Sequence, residues 1–163
     1  ENYAYSHPGK GVGRALVVGA TGQTGSEVVR QLLEERGRCT AVVAYGNSRR
    51  PHYDGPNSEL LEPRQAKLEE LATSRSAELS GFDTLFIHVG TQKRKAGLEG
   101  QRKLEFDDTL AVATAAKAGG CKQCHIVTSQ GASASSSFQY MQTKGKIEDA
   151  LKGLGFERLC IYQ

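Results

Sequence analysis

No apolar run in these 163 residues approaches the roughly 18 that a membrane-spanning helix needs, and no secretory signal pattern opens the chain. A membrane span is therefore not expected. No internal repeat appears, which argues against a solenoid or propeller. Charge of one sign is scarce too: a net +3 suits anionic small molecules and gives no basis for a nucleic-acid partner. The basic run Lys93-Arg94-Lys95 reads as a solvated loop. Only one Cys-x-x-Cys pair, Cys121 and Cys124, stands among the four cysteines. A zinc site needs a second ligand pair, and a thioredoxin-like motif should open a helix, whereas these two lead into an apolar strand. Inert core thiols in a reducing compartment, with no metal site, are the expectation. The chain opens on Glu1 rather than methionine. A cytoplasmic location is expected, or an organellar one if a targeting peptide once preceded Glu1.

What the chain does have is enough for one domain. At 17.6 kDa, with 38% apolar and 24% charged residues, it can bury about two thirds of its unfolded surface. Residues 1–13 lack periodicity and are expected as a loose arm, leaving residues 14–163 as the domain. That domain is organised around Ala15-Leu16-Val17-Val18, then Gly19-Ala20-Thr21-Gly22-Gln23-Thr24-Gly25, then an amphipathic run to Leu33. The pattern reads as strand, glycine turn and helix. Gly19 lets the chain turn off the strand, Gly22 lets the backbone approach a pyrophosphate, and Gly25 lets the helix sit close on the sheet. The helix N-terminus attracts an anion through its free N–H groups and dipole, and Thr21, Gln23 and Thr24 complete the cradle.

A second buried strand runs from Cys39 to Tyr45. A site built for NAD usually carries an acid at the end of this strand to hold the ribose 2′-hydroxyl. Here the loop instead reads Gly46-Asn47-Ser48-Arg49-Arg50. Arginine beside serine suits a 2′-phosphate, so NADP(H) is expected ahead of NAD(H), with Arg49 and Arg50 in contact. A weakly written third strand is expected near residues 64–68. The fourth, residues 82–90, ends in Gly90, which would lie against the cofactor. His88 inside it reads as a satisfied core residue and is left out of the catalytic set. A loop over residues 91–97 leads to a helix over 98–118, a fifth strand over 123–129, a helix over 138–154 and a sixth strand over 156–162. Alternation of this kind predicts an α/β fold, a doubly wound parallel sheet with helices on both faces.

Tyr140 and Lys144 are four apart on a predicted helix and so share a face, while Ser129 ends the fifth strand, where open α/β sheets bind ligands. A phenol of ordinary pKa near 10 is a poor acid or base at neutral pH, and a nearby ammonium lowers that value. Lys144 is therefore expected to tune Tyr140 downward and to hold the nicotinamide ribose. Tyr140 would give a proton to a carbonyl oxygen, or take one from an alcohol, while Ser129 holds that oxygen.

These motifs resemble the short-chain dehydrogenase/reductases, and within them the atypical branch represented by the HIV Tat-interacting protein 2 oxidoreductases. The general resemblance rests on Gly19-x-x-Gly22-x-x-Gly25, Ser129 and Tyr140-x-x-x-Lys144. The narrower one rests on residues 95–100 (KAGLEG), 116–122 (AKAGGCK) and 136–145 (SSFQYMQTKG). It implies an NADP(H)-binding Rossmann domain with Ser129, Tyr140 and Lys144 catalytic. Relatives carry an acid after the third strand where this chain offers Lys67, and their arginines follow the second strand directly. They also continue past the sixth strand into a segment that closes the substrate pocket, so most of that segment is expected to lie outside this chain. Two functions follow. One is an NADP(H)-dependent oxidoreductase acting on a small carbonyl or alcohol. The other is a non-catalytic cofactor-binding or structural accessory subunit with protein partners, and a sensor whose partnering depends on bound NADP(H) lies between them.

Overall fold

Six strands, β1 (Gly13–Val18), β2 (Cys39–Gly46), β3 (Leu61–Gln65), β4 (Thr84–Ile87), β5 (Gln123–Val127) and β6 (Arg158–Tyr162), form one sheet in the order β3-β2-β1-β4-β5-β6. Every pairing is parallel. The computed structural model describes residues 11–90 and 93–163. Five helices connect the strands: α1 (Gln23–Glu34), α2 (Leu68–Ala72), α3 (Lys93–Arg102), α4 (Thr109–Ala118) and α5 (Gln139–Gly153).

Side-chain alternation along each strand sorts the core into two layers. Leu16, Val18, Val43, Leu85, Ile87 and Ile126 face one side, where they meet Leu71 of α2, Val112 and Ala116 of α4, and Ile147 and Leu151 of α5. Ala15, Val17, Ala44 and Phe86 face the other, against Val29, Leu32 and Leu33 of α1. Burial on both faces is why β1 and β2 read as continuous apolar runs rather than as alternating ones. The chain leaves β1 toward β2 on one side, and β4 pairs with β1 on the other. The sheet therefore reverses its direction of growth between β1 and β4, which opens a crevice beyond their carboxyl ends.

Three elements differ from expectation. β3 lies at Leu61–Gln65, earlier than residues 64–68, and it contains Pro63. As an edge strand paired only to β2 it tolerates a residue with no ladder N–H, and its exposure accounts for its weak pattern. The helix after β4 is not uniform: non-helical backbone at Gly97 (φ 69°) interrupts α3, and a π turn, Lys103–Asp108, separates α3 from α4. The Lys93-Arg94-Lys95 run belongs to α3 rather than to a loop. Of the expected arm, residues 1–10 lie outside the described residues, as do Thr91 and Gln92 of the expected loop. Residues 11–13 are packed: Val12 is buried, its N–H donates to the Arg38 carbonyl at 3.3 Å, and its carbonyl accepts from Thr84 Oγ1 at 2.7 Å.

Candidate functional site

The glycine turn forms one wall of the crevice. Gly19 adopts φ +78°, and a Cβ there would collide with the His88 carbonyl of β4. A Cβ on Gly25 would collide with the Gly19 carbonyl. These two glycines are required by the protein's own backbone. Gly22 is different: a Cβ there would make only an ordinary 3.4 Å contact with Gly19 O, and the residue is exposed. It caps α1 with no side-chain hydrogen bond, and no acid stands in the first turn. The first N–H groups of α1 therefore face the crevice with no carboxylate competing for them, and the donor set fits a diphosphate. Gln23 and Thr24 are exposed beside it, and Thr21 is half-buried. Thr24 Oγ1 also lies 3.3 Å from His88 Nδ1, tying the turn to the end of β4. Burial lowers the His88 pKa, and its contact with Thr24 fits a structural role.

At the end of β2 the chain curls back on itself. A Cβ on Gly46 would collide with the Arg49 carbonyl and reach within 2.5 Å of Thr21 Cγ2. Gly46 thus brings the backbone of the arginine loop against the glycine turn, with Arg49 and Arg50 exposed. Below them Tyr45 is buried, donates to Glu78 at 2.7 Å and accepts from Arg64 at 2.9 Å. Lys67 caps α2, taking Glu70 Oε2 on its backbone N–H at 2.9 Å.

Across the crevice, Ser129 follows β5 and Tyr140 lies in the first turn of α5, near enough for the Ser129 hydroxyl to favour the phenolate. Gly145 makes this meeting achievable. A Cβ there would collide with the Ser133 and Ala134 backbone, so only glycine lets the Ser/Ala loop lie on α5 beside Lys144. Phe138, just before the helix, is 74% exposed, and Tyr140 is 37% exposed. The structure thus brings Ser129, Tyr140 and Lys144 together, with Gly90 at the end of β4 nearby.

Lys144 does not act on Tyr140 as expected. Its Nζ lies 5.7 Å from the Tyr140 ring centroid but only 3.1 Å from Glu105 Oε2. The Tyr140 pKa is raised, by burial first and then by the Glu105 charge, against the opposing influence of the Ser129 hydroxyl. The physical reason is that an ammonium paired with a carboxylate presents a dipole rather than a charge, and a dipole's field falls off faster.

Glu105 is the residue that sequence reasoning missed. It sits in the π turn with its side chain 1% exposed, against 6% for Lys144. A signal existed. The buried stripe Ala116, Val112 and Thr109 extends back in helical steps to Glu105 and Gln101, which places polar groups at core positions.

The remaining candidates stay structural. His125 stacks on Phe86 at 4.7 Å between centroids, and burial, then the Arg158 and His88 charges, push its pKa down to about 4. Cys39, Cys121 and Cys124 are buried free thiols, and burial raises the pKa of each, Cys121 to about 11. Among the described residues no group of three or more His, Cys, Asp and Glu could hold a metal ion, and no helix is long and apolar enough to cross a membrane. A cleft of about 360 Å³ between the Ser/Ala loop and α5 is lined by Ser133, Ser135, Glu148, Asp149 and Lys152. Glu148 there is already taken by Thr128 at 2.6 Å and Gln163 at 3.0 Å.

Comparison with known proteins bears on the fold and the family. Protein HTATIP2 of Rattus norvegicus is 34% identical over 152 residues, covering 91% of this chain and 60% of that protein. The mitochondrial protein FMP52 of Eremothecium gossypii is 37% identical over 153 residues, covering 90% of this chain and 63% of its own. The chain thus spans about 60% of the length of these curated relatives. Among solved structures, a nucleoside-diphosphate-sugar epimerase from Agrobacterium tumefaciens superposes with TM-score 0.71 at 16% identity, over 97% of this chain and 56% of that one. The Bordetella bronchiseptica enzyme WbmH, solved in complex with NAD+, superposes with TM-score 0.68 at 19% identity, over 91% and 55%. At such identities the superpositions bear on fold alone, and the fold they share is the Rossmann one. The family model described as NAD(P)H-binding matches residues 19–157, from the first glycine of the turn to the threshold of β6. The 34% identity to protein HTATIP2 agrees with the branch that the motifs resemble, and the chain belongs to the NAD(P)H-binding family.

Proposed function

We propose that this protein is an NADP(H)-dependent oxidoreductase acting on a small carbonyl or alcohol. One observation carries the reading: the bare N-terminus of α1, opened by Gly22, lies at the carboxyl ends of the same parallel strands as Ser129 and Tyr140. Gly22 and the first amides of α1 would hold a diphosphate, and Arg49 and Arg50, exposed on the loop folded against Thr21, would take a 2′-phosphate. The reduced nicotinamide supplies a hydride equivalent when bound. Ser129 would donate a hydrogen bond to the substrate oxygen, and Tyr140 would pass its phenol proton to that oxygen as negative charge develops on it. In the alcohol direction Tyr140 would take the proton back.

Nicotinamide fluorescence on titration with NADPH tests the binding step, and turnover of a carbonyl panel by wild type and Tyr140→Phe tests the chemistry. Binding together with turnover that Tyr140→Phe abolishes supports the reading. Turnover that survives Tyr140→Phe removes Tyr140 from it. A second reading, a cofactor-binding accessory subunit without turnover, is favoured by the pairing of Lys144 with Glu105, which leaves the Tyr140 pKa raised. NADPH binding with no turnover anywhere in the panel would select it.

A further inference from the structure

We infer that Glu105 is a positioning residue for Lys144: from the π turn it anchors the ammonium beside the Tyr140 ring and sets how much of that positive charge the phenol feels. The inference deepens the oxidoreductase reading and takes its relevance to turnover from it, but its test needs no substrate.

Two side chains, 6% and 1% exposed, meet at 3.1 Å, and pairing at that depth offsets part of the desolvation of both charges. The π turn then explains why the carboxylate arrives there. Thr109 Oγ1 donates to the Leu104 carbonyl five residues back at 2.8 Å, across a wider turn that alters the register between α3 and α4. Glu105 Oε1 also lies 3.8 Å from where a Cβ on Gly90 would stand, so the carboxylate of the π turn sits between Lys144 of α5 and the segment that follows β4. That is the rim of the crevice on which Ser129 and Tyr140 sit.

Other charges on the surrounding elements have their own partners. On the π turn, Lys103 pairs with Asp108 at 2.8 Å and with Glu69 of α2 at 3.3 Å, and Asp107 pairs with Arg102 at 3.1 Å. On α5, Glu148, one turn beyond Lys144, is held by Thr128 and Gln163. From the loop after β5, Ser129 offers Tyr140 a hydroxyl and no charge, and Gly90 brings neither. Among the described residues, the charged groups that bear on the phenol are thus Glu105, which raises its pKa, and Lys144, whose ammonium lies 5.7 Å from its ring. Removing the carboxylate while keeping the ammonium converts a dipole into a bare positive charge next to the phenol, and the phenolate gains.

The ultraviolet absorbance of tyrosinate, followed against pH with the Tyr140→Phe protein subtracted, reports the Tyr140 midpoint among the six tyrosines. Glu105→Gln is expected to lower that midpoint by about one pH unit or more, roughly a tenfold gain in phenolate at a given pH. A folded Glu105→Gln with an unchanged or higher midpoint overturns the inference. Should Glu105→Gln fail to fold, the double variant Glu105→Leu/Lys144→Met replaces the pair with apolar side chains of similar volume. Because the pair nearly cancels at the phenol, the midpoint should then stay within about half a unit of wild type. A rise of more than about one unit would show an uncompensated lysine and overturn the inference. NADPH fluorescence on the same proteins keeps the two readings separate. A shifted Tyr140 without NADPH binding sustains the positioning role and removes the oxidoreductase, whereas binding with an unshifted Tyr140 does the reverse.

Discussion

At the start of α1 the crevice is built of backbone: collisions forbid side chains at Gly19 and Gly25, and the groups offered to a ligand are amides. At the start of α5 it is built of side chains, a phenol, a hydroxyl and a buried ion pair supplied by three separate elements. The first wall is fixed by local geometry, and little short of changing a glycine alters it. The second is a balance of opposing charges in a place of low dielectric, where one neutralised group changes the chemistry of the next. A fold can therefore keep its binding wall while its reactive corner is retuned, and the two walls should fail in different ways.

The largest expected effect falls on the corner. Lys144→Met would take the ammonium away from the buried Glu105 carboxylate and should cost about 3–5 kcal/mol in urea unfolding, with most of the loss regained in Glu105→Leu/Lys144→Met. A single-variant loss under about 1 kcal/mol would mean that the pair does not hold this corner, and the contrast would break. On the other wall, Gly25→Ala drives a methyl into the Gly19 carbonyl and should cost about 1–3 kcal/mol. Gly22→Ala meets only an ordinary contact, so it should leave the urea midpoint nearly unchanged while weakening NADPH binding. Equal stability losses at the two positions would erase the distinction between a glycine kept for the fold and one kept for a ligand.

Legibility in the sequence follows the same division. The turn could be read because three glycines at fixed spacing encode a local backbone path, and the strands beside it because burial on both faces leaves continuous apolar runs. Tyr140 and Lys144 could be placed on one face because α-helical spacing does so. Glu105 could not be paired with Lys144, since the two are distant in sequence and a π turn alters the register between them. The sign of the Tyr140 shift was lost because neither the burial of the phenol nor the Glu105 charge beside it is written in the helical spacing. Gly145 was likewise silent: its need appears only when the Ser/Ala loop is laid across α5. β3 was blurred because an edge strand carrying Pro63 has no buried pattern to display.

A smaller effect should separate the two cofactors. Arg49→Ala and Arg50→Ala each remove an exposed guanidinium from the loop against Thr21, and each should weaken NADPH by about tenfold through a lost charge-assisted contact. NADH, with no 2′-phosphate, should be nearly unaffected. Equal losses for both dinucleotides would place the arginines elsewhere on the ligand.

The smallest effect expected is on pH, and it too divides the walls. Burial lowers the His88 pKa below its ordinary 6.5, so near and below that value the unfolded chain binds more protons than the folded one. The stability contributed by neutral His88 is thus present above pH 6.5 and lost as pH falls below it. Protonation would also set a cation beside Thr24 at the positive end of α1, worth about 1 kcal/mol or less. Tyr140 acts at the opposite limb: its raised value means that stability is present below pH 10 and lost as pH climbs above it. His88→Asn should therefore flatten only part of the acid limb of a stability-against-pH curve, since His125 still contributes there. Tyr140→Phe should flatten only the alkaline limb. An acid limb indifferent to His88→Asn would mean that the tie between β4 and the glycine turn carries no proton-linked strain, leaving that wall a matter of backbone alone.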